Sequence, residues 1–354
     1  MIINSDPHLI LDNLTVRSSI KALNDLDLKI LFVVDGQNKL IGTVTDGDIR
    51  RAILQGVELD EPVHGAMQKD FVKYYDTDDR ANIDNEILEK SLQAIPVLFK
   101  DGTIKEIHAN GFKTITDKKN IIVLMAGGFG SRLKPLTDEC PKPLLQVGEK
   151  PIIETIIQNF LSYGYKKFII STHYKSEMIK DYLGDGSKFN CSISYIEESN
   201  PLGTAGCLSL INSSEINEPF FVMNADILTK VNFKQLIEFH KSSKAKITMC
   251  VRNFYYDIPY GVVSSKNSYV KSIDEKPKIS SKVNAGIYVL DSDLLNNFPK
   301  DLYMDMPSLI NETASKGKSS VAAFPIYEYW LDIGQIGDYK RAQIDFISNF
   351  LNEK

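Results

Sequence analysis

One stretch constrains this chain more than any other: Ile121 to Pro151, IIVLMAGGFGSRLKPLTDECPKPLLQVGEKP. Ile121-Ile122-Val123-Leu124-Met125 is a short apolar run ending in small residues, the pattern of a buried central strand. Ala126-Gly127-Gly128-Phe129-Gly130-Ser131-Arg132 follows at once. Its glycines permit positive φ and close backbone approach to a ligand. Consecutive free N–H groups in such a loop form a concave anion site. Arg132 adds a forked, permanently charged donor suited to a di- or triphosphate. Further on, Pro141-Lys142-Pro143-Leu144 sets a lysine between two prolines, so its backbone is stiff and its ammonium can be aimed. Glycines after a strand also make ordinary tight turns. No Gly-Lys-Ser/Thr follows, as a Walker loop requires, and no acidic residue closes a dinucleotide fingerprint.

Read as a whole, Gly-Gly-x-Gly-Ser-Arg-Leu-x-Pro-Leu-Thr with Pro-Lys-Pro-Leu behind it resembles the signature of sugar-1-phosphate nucleotidylyltransferases. The resemblance implies a Rossmann-like α/β fold over 121–354, a mixed, mostly parallel sheet with helices on both faces. The pattern of elements agrees, since strands and helices alternate from Ile121 onward. Strands are predicted at Lys167–Ser171, Ser192–Ile196, Phe220–Met223 and Lys246–Val251. Helices are predicted from Pro151 to a stop at Gly164, and over Ser176–Leu183, Gly206–Ile211 and Phe233–Lys241.

The resemblance also assigns the site. Ala126, Gly127, Gly128, Gly130 and Ser131, with Gly203 and Thr204 of Leu202-Gly203-Thr204-Ala205-Gly206, would bind the nucleotide. Gly261, Glu275, Lys276 and Asn284, from Tyr260-Gly261-Val262-Val263, Asp274-Glu275-Lys276-Pro277 and Asn284-Ala285-Gly286-Ile287-Tyr288, would bind the sugar phosphate. Asp226 of Asn224-Ala225-Asp226 and Asp332 of Trp330-Leu331-Asp332-Ile333-Gly334 would hold Mg²⁺, which takes one or two carboxylates plus substrate phosphates. An aspartate at a strand end also serves as a helix cap or turn residue. His173 and His240 match no base motif and are expected to be structural.

Residues 1–113 read as two copies of one unit, approximately 1–60 and 61–113, followed by a linker at 114–120. Each copy runs helix, strand, an Asp-Gly turn and a second strand: Val16–Leu26, Ile30–Val34 and Leu40–Val44, then Ile83–Leu92, Ile95–Phe99 and Ile104–Ile107. The first copy adds a helix from Asp46 through Leu54. This half resembles an α+β pair of CBS domains, modules that often bind adenine nucleotides. Gly42-x-x-Thr45-x-x-Asp48 matches their nucleotide pattern, which implies a regulatory purine nucleotide at Gly42, Thr45 and Asp48. The other reading is that Thr45 and Asp46 cap the next helix. Ala109 and Phe112 replace the threonine and aspartate in the second copy, so one site per pair is expected.

The formal net charge of −5 at pH 7 argues against nucleic acid or anionic membrane as the main partner. Four cysteines (Cys140, Cys191, Cys207, Cys250) are scattered with no CxxC, which suggests neither zinc nor a disulfide framework. MIINSDPHLI lacks the pattern of a signal peptide, and no apolar run approaches a membrane span. A cytoplasmic homo-oligomer is expected, with assembly through the CBS pair.

The implied reaction is nucleoside triphosphate plus sugar 1-phosphate giving NDP-sugar and pyrophosphate, with Arg132 and Lys142 as the catalytic cations. The fused arrangement most resembles glucosamine-1-phosphate guanylyltransferases of bacterial legionaminic acid synthesis, which implies GTP and glucosamine 1-phosphate. Mannose or heptose 1-phosphate, and CTP, UTP or dTTP, fit the same motifs. A catalytically silent NDP-sugar sensor is the alternative of a different class, but Arg132, Lys142, Asp226, Lys276 and Asp332 are all intact.

Overall fold

The computed structural model describes residues 2–351 except 4, 27, 81–82, 91, 110–117, 299–301 and 318. Phe112 and the first four positions of the expected linker lie outside the described residues. The chain divides into two compact units, Met1–Thr114 and Ile115–Lys354.

The repeat read from the sequence recurs in the strands of the N-terminal unit. Leu9–Leu11 lies parallel to Ile30–Val34, which pairs antiparallel with Leu40–Thr45. Tyr74–Tyr75, Ala94–Leu98 and Ile104–Ala109 repeat the same order and senses, and Ile2–Ile3 adds an outer strand. Neither sheet buries its face alone. Ile30, Phe32 and Leu40 share one core with Ala94, Leu98, Ile107 and Ala109 from the other copy. Helix Asp46–Leu54 begins where the sequence places it.

The second unit is built on a seven-stranded sheet. Its strands are β1 (Lys118–Met125), β2 (Tyr165–Thr172), β3 (Ser192–Glu197), β4 (Phe220–Asn224), β5 (Ile247–Asp257), β6 (Lys278–Leu290) and β7 (Val321–Pro325). The spatial order is β3-β2-β1-β4-β6-β5-β7. The first four strands are parallel, β6 is antiparallel to both neighbours, and β7 is parallel to β5. β1 starts at Lys118, so the last residues assigned to the linker are strand.

Side chains alternate between two apolar cores. Ile122 and Leu124 face helices α1 (Ile152–Ser162), α2 (Ser176–Leu183) and α3 (Phe233–Ser243), while Val123 joins the core of α4 (Met306–Ser315). Phe160 of α1 stacks on Phe233 of α3 at 3.7 Å between centroids, and both meet Phe221 edge-on. Such pairs add about 0.5–1.5 kcal/mol each beyond burial. Gly164, at φ +85°, turns the chain after α1 as expected. The helix predicted at Gly206–Ile211 is instead a short turn of helix at Gly203–Gly206 running into a 3₁₀ turn at Cys207–Leu210.

Candidate active site

In the sheet, strands β1 to β3 build to one side and β4 returns to the other side of β1. The crevice outside the carboxyl ends of β1 and β4 is therefore the topological switch point, where ligands bind in open α/β sheets. The glycine loop leaves β1 there, and the Ala225 N–H donates to the Met125 carbonyl at 3.1 Å beside it. Gly130 has φ +64°, and a Cβ there would lie 2.9 Å from Thr137 Cγ2 and 3.2 Å from Lys142 Cβ. Glycine at this position lets the loop fold back onto the Pro-Lys-Pro turn. Gly128 is exposed and a Cβ on it would meet nothing within 4 Å, so the space in front of it is open. Ser131 and Arg132 are exposed at the loop's end.

Lys142 is buried in a 3₁₀ turn, Lys142–Leu144, and its ammonium ion-pairs with Asp226 Oδ2. Asp226 follows β4, and Asp332 ends the strand Trp330–Asp332, which pairs antiparallel with Ile227–Thr229. Asp226 Oδ1 and Asp332 Oδ1 are buried without a hydrogen-bond partner. Burial, and then the neighbouring Asp226 charge, push the Asp332 carboxyl above the usual carboxylate range, while Lys142 and Arg132 pull it back. A Cβ placed on Gly334 would stand 3.7 Å from both Arg132 Nη1 and Asp332 Oδ1. The structure thus brings together four charged groups from four separate segments. Among the described residues no group of three or more His, Cys, Asp or Glu could hold a metal. Two orphaned carboxylate oxygens in a cluster with Lys142 and Arg132 nevertheless fit Mg²⁺, which takes its remaining ligands from substrate and water.

The residues expected to bind the sugar phosphate fall in two places. Gly261, Glu275 and Lys276 flank the exposed hairpin Val262–Lys266 and Tyr269–Asp274, and a Cβ on Gly261 would lie 3.0 Å from Glu275 Oε2. Asn284 Nδ2 donates to the Tyr288 hydroxyl at 2.6 Å, and its Oδ1 accepts from the Gly286 N–H. Gly203 and Thr204 have a packing use. A Cβ on Gly203 would strike the Met304 carbonyl at 2.6 Å, and Thr204 Oγ1 accepts from the Met306 N–H at 2.8 Å.

Sequence reasoning missed Glu198. The residue is 7% exposed. Oε1 accepts from Ser171 Oγ at 2.6 Å and Oε2 from the Leu202 N–H at 2.9 Å. A Cβ on Gly127 would lie 3.0 Å from Oε1. One buried carboxylate thus touches the end of β2, the glycine loop and the Leu202–Gly206 turn. The available signal was an acidic residue directly after β3, five positions before Gly203. His173 Nδ1 is 2.7 Å from the Glu198 carbonyl, and Phe129 packs edge-on against the ring. His240 is buried against Thr248 Oγ1, away from any base role.

In the N-terminal unit, Thr45 caps helix Asp46–Leu54. The Asp48 carboxylate accepts from the Thr45 N–H at 2.8 Å and Oγ1 at 2.5 Å, and it ion-pairs with Arg51. A Cβ on Gly42 would collide with Met67 Sδ at 2.7 Å. Asp46 pairs instead with the buried Arg50.

Residues 121–349 match the nucleotidyl transferase family. The chain belongs to that family. Residues 2–55 match the CBS domain, the first of the two expected copies. The transferase is 34% identical over 225 residues to a probable mannose-1-phosphate guanylyltransferase 2 of Oryza sativa subsp. japonica, covering 61% of this chain and 62% of that protein. It is 31% identical over 244 residues to a mannose-1-phosphate guanyltransferase of Schizosaccharomyces pombe, covering 66% of each. It therefore spans somewhat under two thirds of these relatives. The crystal structure of HddC from Yersinia pseudotuberculosis complexed with GMP-PN superposes with TM-score 0.51 and 26% identity, over 64% of this chain and 99% of that one. A putative glucose-1-phosphate thymidylyltransferase from Bacillus anthracis in complex with a sucrose shares the fold with TM-score 0.53 and 23% identity, over 68% of this chain and 97% of that one. Among the described residues no helix is long and apolar enough to cross a membrane.

Proposed function

We propose that the transferase moves a guanylyl group from GTP to a hexose 1-phosphate, releasing pyrophosphate. The observation that carries this reading is the meeting of Lys142, Asp226, Asp332 and Arg132 beside the glycine loop at the switch point. A sugar-phosphate oxygen is already ionised at neutral pH, so the attack on the α-phosphorus needs no general base. One Pα–O bond forms, the bridging Pα–O bond to the β-phosphate breaks, and the electron pair leaves with pyrophosphate. The barrier lies in bringing anions together, and catalysis is positioning plus charge stabilisation. Arg132 and the loop amides hold the β,γ-phosphates, Lys142 the α-phosphate, and Lys276 the incoming phosphate. Asp226 and Asp332 would hold Mg²⁺, which when bound neutralises phosphate charge.

Glu198 supports guanine as the base. Guanine presents adjacent N1–H and N2–H₂ donors, and a carboxylate accepts two such donors at once. Both Glu198 oxygens take one protein donor and keep further acceptor capacity. The named activities of the Oryza sativa and Schizosaccharomyces pombe relatives point to the same base. Glu198→Gln should lower kcat/KM for GTP, relative to the other nucleotides, by about tenfold or more. An unchanged preference would remove the base assignment. For the sugar, glucosamine 1-phosphate rests on the fused domain arrangement and mannose 1-phosphate on the names of the relatives.

The N-terminal unit is proposed to bind one purine nucleotide through Thr45 and Asp48, on the strength of their spacing and the CBS match. Both side chains already serve as a helix cap, so calorimetry with AMP, ADP, ATP and GTP on wild type and Asp48→Ala decides. Equal heats in both proteins would leave only the cap.

A further inference from the structure

Lys142 has two destinations that exclude each other. In the fold its ammonium neutralises Asp226, with the lysine side chain about one-tenth exposed and the backbone held between Pro141 and Pro143. In the reaction proposed above, the same ammonium serves the α-phosphate. Two carboxylates lie here, Asp226 and Asp332, and each has one oxygen buried with no hydrogen-bond partner. A second cation entering this cluster meets a positive charge already on Asp226. Unit charges a few ångströms apart in a partly buried site repel by enough to change affinity more than tenfold.

We propose that Lys142 is the resident counter-ion of the metal site: it holds Asp226 until a divalent cation arrives with the nucleotide, and only then turns to the phosphate. The inference rests on Asp226 and Asp332 as the metal ligands. It explains why a lysine aimed at phosphate should be tied to an aspartate 84 positions away. Free divalent cation then binds weakly, because it must displace the ammonium from Asp226 with no new anion supplied in exchange. Nucleotide supplies the ammonium with a new anionic partner, so cation and triphosphate bind cooperatively. The Asp226 and Asp332 carboxylates are thereby not left as an uncompensated pair between turnovers, a state that would cost stability.

The test is the binding of Mn²⁺, a paramagnetic stand-in for Mg²⁺, to the full chain without nucleotide, read by electron paramagnetic resonance. Lys142→Met and Lys142→Gln should bind Mn²⁺ at least tenfold more tightly than wild type while losing turnover, and Lys142→Arg should not. Adding Asp226→Asn to Lys142→Met should abolish the gain. Equal or weaker Mn²⁺ binding by both uncharged variants, with binding still dependent on Asp226, overturns the counter-ion role and leaves the metal assignment standing. Binding unaffected by Asp226→Asn and Asp332→Asn, or no binding by any of these proteins, overturns the metal assignment and the proposal with it.

Discussion

Asp226 and Asp332 are neighbours through the main chain as well as through charge: the Ile333 N–H donates to the Asp226 carbonyl at 3.1 Å, closing the ladder in which Ile227 pairs with Asp332. The pairing fixes both backbones, so any relief of the repulsion between the carboxylates is left to side-chain rotation. Their roles in the metal-free protein differ, because only Asp226 carries the Lys142 ion pair.

Asp332→Asn should therefore keep or raise the melting temperature without metal, since it removes a buried charge disfavoured by burial and by Asp226. Asp226→Asn should lower it, because Lys142 loses its partner and stays buried. Both variants should lose turnover by roughly 10²-fold or more. Melting curves and initial rates on the same preparations check this, and a destabilised but fully active Asp226→Asn would reduce that residue to a turn.

Gly128 and Gly130 separate the fold's use of the loop from the ligand's. Gly130→Ala meets Thr137 and Lys142 and carries a positive φ, so it should be destabilised and inactive. Gly128→Ala meets no protein atom within 4 Å. It should melt like wild type yet show a raised KM for nucleotide, because its methyl fills space the triphosphate uses. A Gly128→Ala enzyme with unchanged nucleotide KM would move the phosphates elsewhere.

His240 gives a pH signature unrelated to the site. Burial pushes its imidazole down from 6.5 to about 4. Between those values the unfolded chain takes up a proton that the fold refuses, so stability is complete above pH 6.5 and falls as pH drops toward 4. The loss should be of order 3 kcal/mol. His240→Gln keeps a partner for Thr248 but does not titrate, and its melting temperature should fall less steeply over that window. Parallel slopes would place the acid sensitivity in other groups.

The parts of the fold legible in the sequence were those with local causes. β1 is an apolar run, α2 has the predicted limits, and α1 and the Asp46 helix carry their own start signals. The far half of β5 was not legible. Phe254, Tyr255 and Tyr256 are all about half exposed, so no alternation marks the strand, and only its bonds to β6 define it. Glu198 escaped notice because Ser171 and Leu202 come from different elements, and a terminal acidic residue otherwise reads as solvated. The Lys142–Asp226 pair is likewise long-range. Thr45 and Asp48 show the opposite difficulty: a capping box and a nucleotide pattern share one spacing, so the residues alone left both readings open.

The most direct measurement of the central claim is pyrophosphate release by the purified full chain, with GTP, ATP, CTP, UTP and dTTP each offered glucosamine, mannose, glucose and heptose 1-phosphates, with and without Mg²⁺. The account predicts release that requires both a sugar 1-phosphate and Mg²⁺, with GTP preferred, and a loss of about 10²–10³-fold in Arg132→Ala. Because Arg132 is exposed, that variant should melt like wild type. Folded wild-type protein that releases no pyrophosphate from any pair, or an Arg132→Ala variant that turns over normally, would contradict it.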